Sequence, residues 1–437
     1  MKPSKYNIIF NYKGKKLAFN GMSRVLAEVD NDFLTILQNG NCENLDENSF
    51  TGSQRELIRN MNDNGFLIDN DFDELAFLEY KFNKNKYSNS ESKIVILTAS
   101  GCNCCCPYCF EGKEKKNYFL TPEVKNAIYK QIKLMTLEQK NLNVTWFGGE
   151  PLLAKNDIWE MSKKIISICN ENNATYFANI STNGYLIDNH VVENMLASKI
   201  MDVQITLDGT PEMHDSIRKL HNGEGTFFKI IENVKMLLDK NISVVLNTHI
   251  NYMQESDMVN LLDILEKEGL KDCFVVGSAI SNFSNNCTVN YVSDEESIIN
   301  KTILFKNLLA SRQFNSGLLD YYPGAQKCSC MANTLNSFAV APNGEIYACF
   351  PDIGMTNKSL GNILELNSIN TNHNKIKYVM WSPFKYEKCL NCSVLPLCMG
   401  GCINRGIERN GPECMTSREE IIKRLKITYD KKSVCCI

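Results

Sequence analysis

Residues 101–112 read GCNCCCPYCFEG, and this stretch decides how the chain around it is organised. Three of its cysteines, Cys102, Cys106 and Cys109, stand at C-x-x-x-C-x-x-C spacing. Three thiolates on one tight loop can hold three irons of a cubane that normally takes four cysteine ligands, leaving one iron open to a substrate or cofactor. Cys104 and Cys105 fall between them, so a C-x-C or C-C pairing can also be drawn. A structural zinc site is the plainer alternative, since C-x-x-C is common in zinc ribbons.

The loop follows an apolar strand-like run, 93–98, the first of six. The others are 142–147, 175–180, 201–207, 242–250 and 273–279. Helical stretches at 121–135, 158–170, 191–198, 226–238 and 255–269 separate them, and 294–311 follows the sixth strand. Such alternation predicts an α/β fold with a parallel sheet and right-handed crossovers. Six units make an open partial (β/α)6 barrel, with its active site at the C-terminal ends of the strands. Those ends carry Gly148-Gly149-Glu150-Pro151, Ser181-Thr182-Asn183-Gly184 and Thr206-Leu207-Asp208-Gly209, the last followed by His214, Asp215 and Arg218. Paired glycines let backbone approach a ligand closely. Glu150 can accept from an ammonium group, and Arg218 can pair bidentately with a carboxylate. An ordinary turn competes at Gly149 and Glu150. Helix capping and indirect support compete at Asp208, His214 and Asp215. His249, alternating with apolar neighbours, reads as a core histidine.

With Tyr108 as the aromatic before the last cysteine, the loop resembles the signature of the radical S-adenosylmethionine (SAM) enzymes. Gly148-Gly149-Glu150-Pro151 resembles that family's GGEP motif, which holds the methionine amino group. The Thr206–Gly209 block, with His214, Asp215 and Arg218 downstream, is similar to the SLDG block of the sulfatase- and peptide-maturing branches. Thr206 replaces their serine and keeps the hydroxyl. The resemblance implies a SAM site formed by Tyr108, Gly149, Glu150, Ser181, Asn183, Thr206, Asp208 and Arg218, with a [4Fe-4S] cluster on Cys102, Cys106 and Cys109.

Nineteen cysteines are unevenly spread: five lie within 102–109 and ten after Lys327. In a reducing compartment such clusters indicate metal or iron–sulfur ligation rather than disulfides. Cys42, Cys169, Cys273 and Cys287 are scattered and read as small apolar fillers. Toward the C-terminus Gly344 and Cys349 give G-x4-C, and Cys389, Cys392, Cys398 and Cys402 give C-x2-C-x5-C-x3-C, with Cys414 beyond. This order resembles the cysteine-rich SPASM extension, which binds two auxiliary four-iron clusters. By that resemblance Cys389, Cys392, Cys398 and Cys414 hold one, and Cys330, Cys349 and Cys402 the other, with Cys328 as a possible fourth ligand. The Cys328/Cys330 C-x-C pair departs from the usual spacing. Cys435-Cys436 has no place in the pattern and reads as a disordered end.

Three domains are expected: 1–90, 91–313 and 314–437, the last being the SPASM domain. Residues 1–90 show a hairpin around Asn11–Lys15, helices over 31–38 and 53–64 and a return strand at 66–68, a small winged-helix-like α+β shape. In peptide maturases this position often holds a leader-recognition element that pairs the peptide with a sheet edge; a packing extension is the alternative. Polar residues 83–92 read as the linker. Net charge is −3, which implies neither a nucleic-acid partner nor a polybasic membrane patch. No apolar run is long enough for a bilayer, and the N-terminus lacks a signal-peptide core, so a cytoplasmic location is expected.

Taken together, the resemblance implies three [4Fe-4S] clusters, SAM, and an external electron donor such as flavodoxin or ferredoxin. The expected activity is that of an oxidoreductase acting on a ribosomally made precursor peptide with a leader sequence. Hydrogen abstraction by a 5′-deoxyadenosyl radical would form a thioether crosslink. One competing expectation is oxidation of a sulfatase residue to formylglycine. Those relatives carry an acidic base directly after the G-x4-C cysteine, where Phe350 stands here; Asp352 is the nearest candidate. Another is a non-enzymatic metal-binding scaffold for peptides, against which the GGEP-like strand end argues.

Overall fold

The computed structural model describes residues 1–39, 51–88, 91–109, 117–280, 295–315, 322–324, 330–365, 369, 371–414, 416–430 and 435–436. Cys328 lies outside them, as do Cys42 and Cys287. The chain divides into two compact units: Met1–Tyr87, Gly317–Cys330 and Met380–Ile437 form one, and Ser88–Ser316 with Met331–Val379 form the other.

The second unit is built on a nine-stranded sheet. Its first six strands are β1 (Glu91–Ala99), β2 (Asn141–Gly148), β3 (Thr175–Thr182), β4 (Ile200–Thr206), β5 (Ser243–His249) and β6 (Phe274–Ser278). All are parallel and lie in sequence order, as a partial (β/α)6 barrel requires. The crossovers are α1 (Pro122–Glu138), α2 (Lys155–Glu171), α3 (Asn189–Ala197), α5 (Phe227–Asp239) and α6 (Glu255–Lys267). Each helix starts or faces inward for a local reason. Thr121 caps α1, with Pro122 in its first turn. In α2, Ile158, Met161, Ile165 and Ile168 recur at helical spacing and are buried, the stripe that seats a helix on a sheet. A short α4 (Pro211–Ile217), unexpected from the sequence, follows β4, and α7 (Glu295–Ser311) follows β6.

Beyond β1 the sheet continues with chain from much later in the sequence. Strand β7 (Ser337–Val340) pairs parallel to β1, with Ala339 opposite Val95. Strands β8 (Glu345–Tyr347) and β9 (Ser359–Asn362) add antiparallel pairs. Residues 331–379 thus pack with the barrel rather than with the later cysteines. The cause is local: all four residues of β7 are buried, and their backbone groups are satisfied by the open edge of β1.

In the first unit Asn7–Tyr12, Lys15–Asn20 and Leu26–Val29 form an antiparallel sheet. Helices Asn31–Asn39, Gly52–Asp63 and Glu74–Lys86 accompany it, and Leu67–Ile68 pairs with Lys2–Pro3. One face packs Phe33, Ile36, Ile58, Met61 and Phe66. The other packs Ile8, Leu17, Phe19 and Leu26 against Val394, Leu397, Ile421 and Leu425 from the C-terminal part of the chain. The expected linker 83–92 is shortened by helix Glu74–Lys86, whose Lys86 is 2% exposed with its Nζ donating to the Trp381 carbonyl. Cys435–Cys436 is not a loose end: it pairs parallel to Leu26–Val29. Among the described residues no helix is long and apolar enough to cross a membrane.

Leu425 is fully buried against the N-terminal sheet. Leu425→Ala is expected to lower unfolding stability of this unit by about 2–5 kcal/mol, read as an earlier urea midpoint by circular dichroism; an unchanged midpoint would contradict that packing.

Candidate active site

The C-terminal halves of β2–β5 and the cysteine loop enclose a cavity of about 490 Å³. Cys102, Cys106, Cys109, Tyr108, Gly149, Ser181, Asn183, Thr206 and Arg218 all line it. Glu150 and Asp208 stand behind its wall, each fully buried.

Backbone hydrogen bonds hold the loop on two sides. Glu150 N–H donates to the Gly101 carbonyl at 2.8 Å and Gly149 N–H to the Ala99 carbonyl at 3.0 Å. On the other side Cys105 N–H donates to the Lys219 carbonyl at 3.1 Å and His221 N–H to the Asn103 carbonyl at 3.3 Å. A Cβ on Gly149 would lie 2.3 Å from the Gly101 oxygen, so only glycine permits this approach.

Glu150 Oε1 accepts from Thr182 Oγ1 at 2.7 Å and Leu152 N–H at 3.0 Å, and Oε2 from Asn183 N–H at 2.8 Å. Burial pushes its carboxyl up to about 7 against the pull of these donors. Its oxygens thus fasten the β3 end, which turns Asn183 toward the cysteines: Asn183 Nδ2 donates to Asn103 Oδ1 at 2.7 Å.

A second buried carboxylate organises the opposite wall. Asp208 accepts from the Tyr108 hydroxyl, from His249 N–H at 3.1 Å and from His249 Nδ1 at 2.9 Å. Arg218 Nη1 donates to the Tyr108 hydroxyl at 2.5 Å and lies 3.7 Å from Asp208. Burial opposes a charge on Asp208, but His249, Arg218 and Tyr108 outweigh it and hold the carboxyl well below the usual range. His249 therefore belongs to the cavity wall rather than the core. Sequence alternation missed this because the last residue of a parallel strand points its side chain at the barrel mouth; its place one strand over from Asp208 was the available signal.

His214 and Asp215 support this wall from behind. His214 Nδ1 accepts from Asp208 N–H at 3.0 Å and its Nε2 is 2.9 Å from Thr226 Oγ1, which donates to the Arg218 carbonyl. Asp215 Oδ1 caps α5 through Thr226 and Phe227 N–H. Asp352 is 1% exposed, bonded by Lys358 at 2.8 Å and by the Tyr378 hydroxyl. It does not line the cavity, whereas Phe350 and Pro351 do.

The remaining cysteines divide between the units. Cys349 lies with the barrel, and Cys330, Cys389, Cys392, Cys398, Cys402 and Cys414 in the other unit. Burial pushes the Cys389 thiol up to about 11, with Cys398, Cys414 and Cys392 acting in the same direction. Between Cys398 and Cys402 the backbone turns left-handed through Met399, Gly400 and Gly401, and a Cβ on Gly400 would meet the Trp381 ring at 2.6 Å. Among the described residues no three His, Cys, Asp or Glu side chains converge on one point as a single metal ion needs.

The residues present fit a cluster with a bound amino acid. Three thiols of one loop face a shared cavity, and a glycine turn leaves room beside them. The buried Arg218 Nε and Asn103 Nδ2 have no partner, which is costly unless a ligand supplies acceptors.

Residues 96–277 match the family model of the Radical SAM superfamily. The chain is 28% identical over 344 residues to a cysteine-type anaerobic sulfatase-maturating enzyme of Clostridium perfringens (strain 13 / Type A), covering 71% of this chain and 88% of that one. It is 24% identical over 422 residues to the radical SAM cyclopropyl synthase TigE of Paramaledivibacter caminithermalis, covering 89% and 82%. Among solved structures, native anSMEcpe with bound AdoMet superposes with a TM-score of 0.59 at 19% identity, over 77% of this chain and 96% of that one. Streptococcus suis SuiB bound to precursor peptide SuiA superposes with a TM-score of 0.54 at 16% identity, over 95% and 100%. The parallel half-barrel and its cysteine loop are thus those of an enzyme of the radical SAM class. Residues 96–277 form its radical SAM domain, which implies a [4Fe-4S] cluster and S-adenosylmethionine.

Two outcomes follow from this geometry. Gly149→Ala is expected to displace the cysteine loop, at a cost of about 1–3 kcal/mol, and to weaken S-adenosylmethionine binding measured by calorimetry; unaltered binding would mean the close approach is dispensable. The second concerns acid. Burial first, then Arg218, lowers His214 from 6.5 to about 4, against Asp208 and Asp215. The unfolded chain binds this proton at higher pH than the folded one, so stability is lost as pH falls from about 6.5 to about 4. His214→Gln should flatten that part of the stability–pH curve; an equal slope in both proteins would show that His214 does not carry it.

Proposed function

We propose that this radical SAM enzyme matures a ribosomally made precursor peptide, joining a cysteine sulfur to a carbon of another residue as a thioether. The observation that carries the reading is the pairing of the cysteine-loop cavity with an apolar wall of Phe147, Phe350, Pro351 and Met331 in place of the acidic residue expected of formylglycine formation. The fold is shared with Streptococcus suis SuiB, whose structure holds precursor peptide SuiA, and this supports a peptide substrate.

When bound at the loop, the cluster and S-adenosylmethionine supply a 5′-deoxyadenosyl radical able to take hydrogen from an unactivated carbon. Cys102, Cys106 and Cys109 would hold the cluster. Arg218 would hold the carboxylate of the methionine moiety, and Gly149, Ser181, Asn183 and Thr206 would line the rest of the cofactor site. Tyr108 and Asp208 fix Arg218 in place. Glu150 fixes Asn183 and anchors the turn beside the cofactor site. Cys389, Cys392, Cys398 and Cys414 would hold one auxiliary [4Fe-4S] cluster, and Cys330, Cys349 and Cys402 another, with Cys328 as a further ligand. An external electron donor completes the cycle. Residues 1–90 serve as the leader-binding element, their sheet edge pairing with the extended leader.

Formylglycine formation is the second reading, favoured by 28% identity to the sulfatase-maturating relative. Against it stand Phe350 at the base position and the ion-paired Asp352.

Anaerobic reconstitution should yield about twelve irons per chain, four for each of three cubanes. The Cys102/Cys106/Cys109→Ala variant should retain about two-thirds of that iron while losing 5′-deoxyadenosine release. With a leader-bearing cysteine peptide, a product lighter by two hydrogens with its sulfur retained supports the thioether. Loss of the sulfur supports formylglycine and overturns the leading reading.

A further inference from the structure

A bond from a thiol sulfur to carbon requires the thiol proton to leave, and a general base has to lie within reach of it. Among the described residues lining the cavity there is no aspartate or glutamate. Asp352 is ion-paired away from it, and Glu150 is enclosed by three donors. Arg218 stays protonated. The Tyr108 hydroxyl is spent on Asp208 and Arg218. His249 remains.

We propose that His249 is the proton acceptor of this cavity, its Nε2 taking the thiol proton of a substrate cysteine while Asp208 holds its Nδ1. The assignment rests on the peptide reading above. Asp208 Oδ1 accepts from both His249 N–H and Nδ1, at 3.1 and 2.9 Å. A carboxylate in that place accepts but does not donate, so Nδ1 carries a proton, and in the neutral ring the lone pair falls on Nε2. The ring is fixed edge-on to Tyr108, centroids 4.9 Å apart. Its side chain is 16% exposed and faces the cavity. In the step, the S–H bond breaks and an N–H bond forms at Nε2. A neutral thiol and imidazole become a thiolate and an imidazolium, with no change in oxidation state, and the buried Asp208 charge stabilises the cation. Asp208 is thus a positioning residue and His249 the catalytic one.

Two measurements test this. In the iron-free full chain, 15N NMR of the histidine rings should show His249 as the Nδ1–H tautomer, with that signature lost in Asp208→Asn. An Nε2–H tautomer in the wild-type protein would overturn the assignment. In the reconstituted enzyme, His249→Ala should lower kcat for cysteine-peptide conversion by about a hundredfold or more, with KM changed by less than about threefold. Added imidazole should restore part of the rate. Conversion unaffected by His249→Ala overturns the assignment alone. A wild-type enzyme that releases 5′-deoxyadenosine yet converts no cysteine peptide overturns the peptide reading and this assignment with it.

Discussion

The contact on which the site depends is the approach of one backbone to another at Gly149 and Gly101. Glu150 N–H reaches the Gly101 carbonyl at 2.8 Å, and this is possible only because position 149 has no Cβ. A cysteine loop left to itself has many conformations, and each ordered residue costs about 1–2 kcal/mol of backbone entropy. Here the loop is tied at one end to the β2 turn and in the middle to residues 219–221. These ties fix the backbone that carries Cys102 and its neighbours at the cavity.

The same economy governs the two buried carboxylates, which face opposite electrostatic fates. Glu150 is surrounded by neutral donors, and burial wins. Asp208 is surrounded by Arg218, His249 and the Tyr108 hydroxyl, and ionisation wins. One carboxyl in the protein thus acts as an anchor for turns, the other as a fixed negative charge. Buried charges of this kind are costly when any partner is removed, so Tyr108, Arg218 and His249 are coupled to one another through Asp208. Tyr108 sits inside the cysteine motif, and its hydroxyl links the loop to that charge.

Much of this was legible in the sequence where a residue's chemistry and its periodicity agreed. The six strands were visible because β-branched runs alternate with amphipathic helices such as α2, and the cysteine loop fell at a strand end where ligands gather. The boundaries moved where tertiary contacts outweighed local pattern. Lys86 looked like linker because it is charged, yet its helix persists because the ammonium reaches the Trp381 carbonyl. His249 looked like core because alternation says nothing about the end of a barrel. The partnership of β7 with β1 was hidden altogether, since more than two hundred residues separate Val95 from Ala339 and no local signal encodes that pairing.

That hidden pairing also shapes the cavity. With β7 seated beside β1, the chain running through β8 emerges at Cys349 and carries Phe350 and Pro351 into the cavity wall. Phe350 meets Phe147 of β2 at 5.5 Å between ring centroids. The cavity is consequently two-sided, with thiols, Asn183 and Arg218 on one side and aromatic and aliphatic groups on the other. An apolar wall excludes water and strengthens every charge interaction opposite it. It also removes the carboxylate that an acidic residue at position 350 would have provided. The cavity is left with the imidazole of His249 on β5, oriented by a charge that the cysteine loop itself helps to hold.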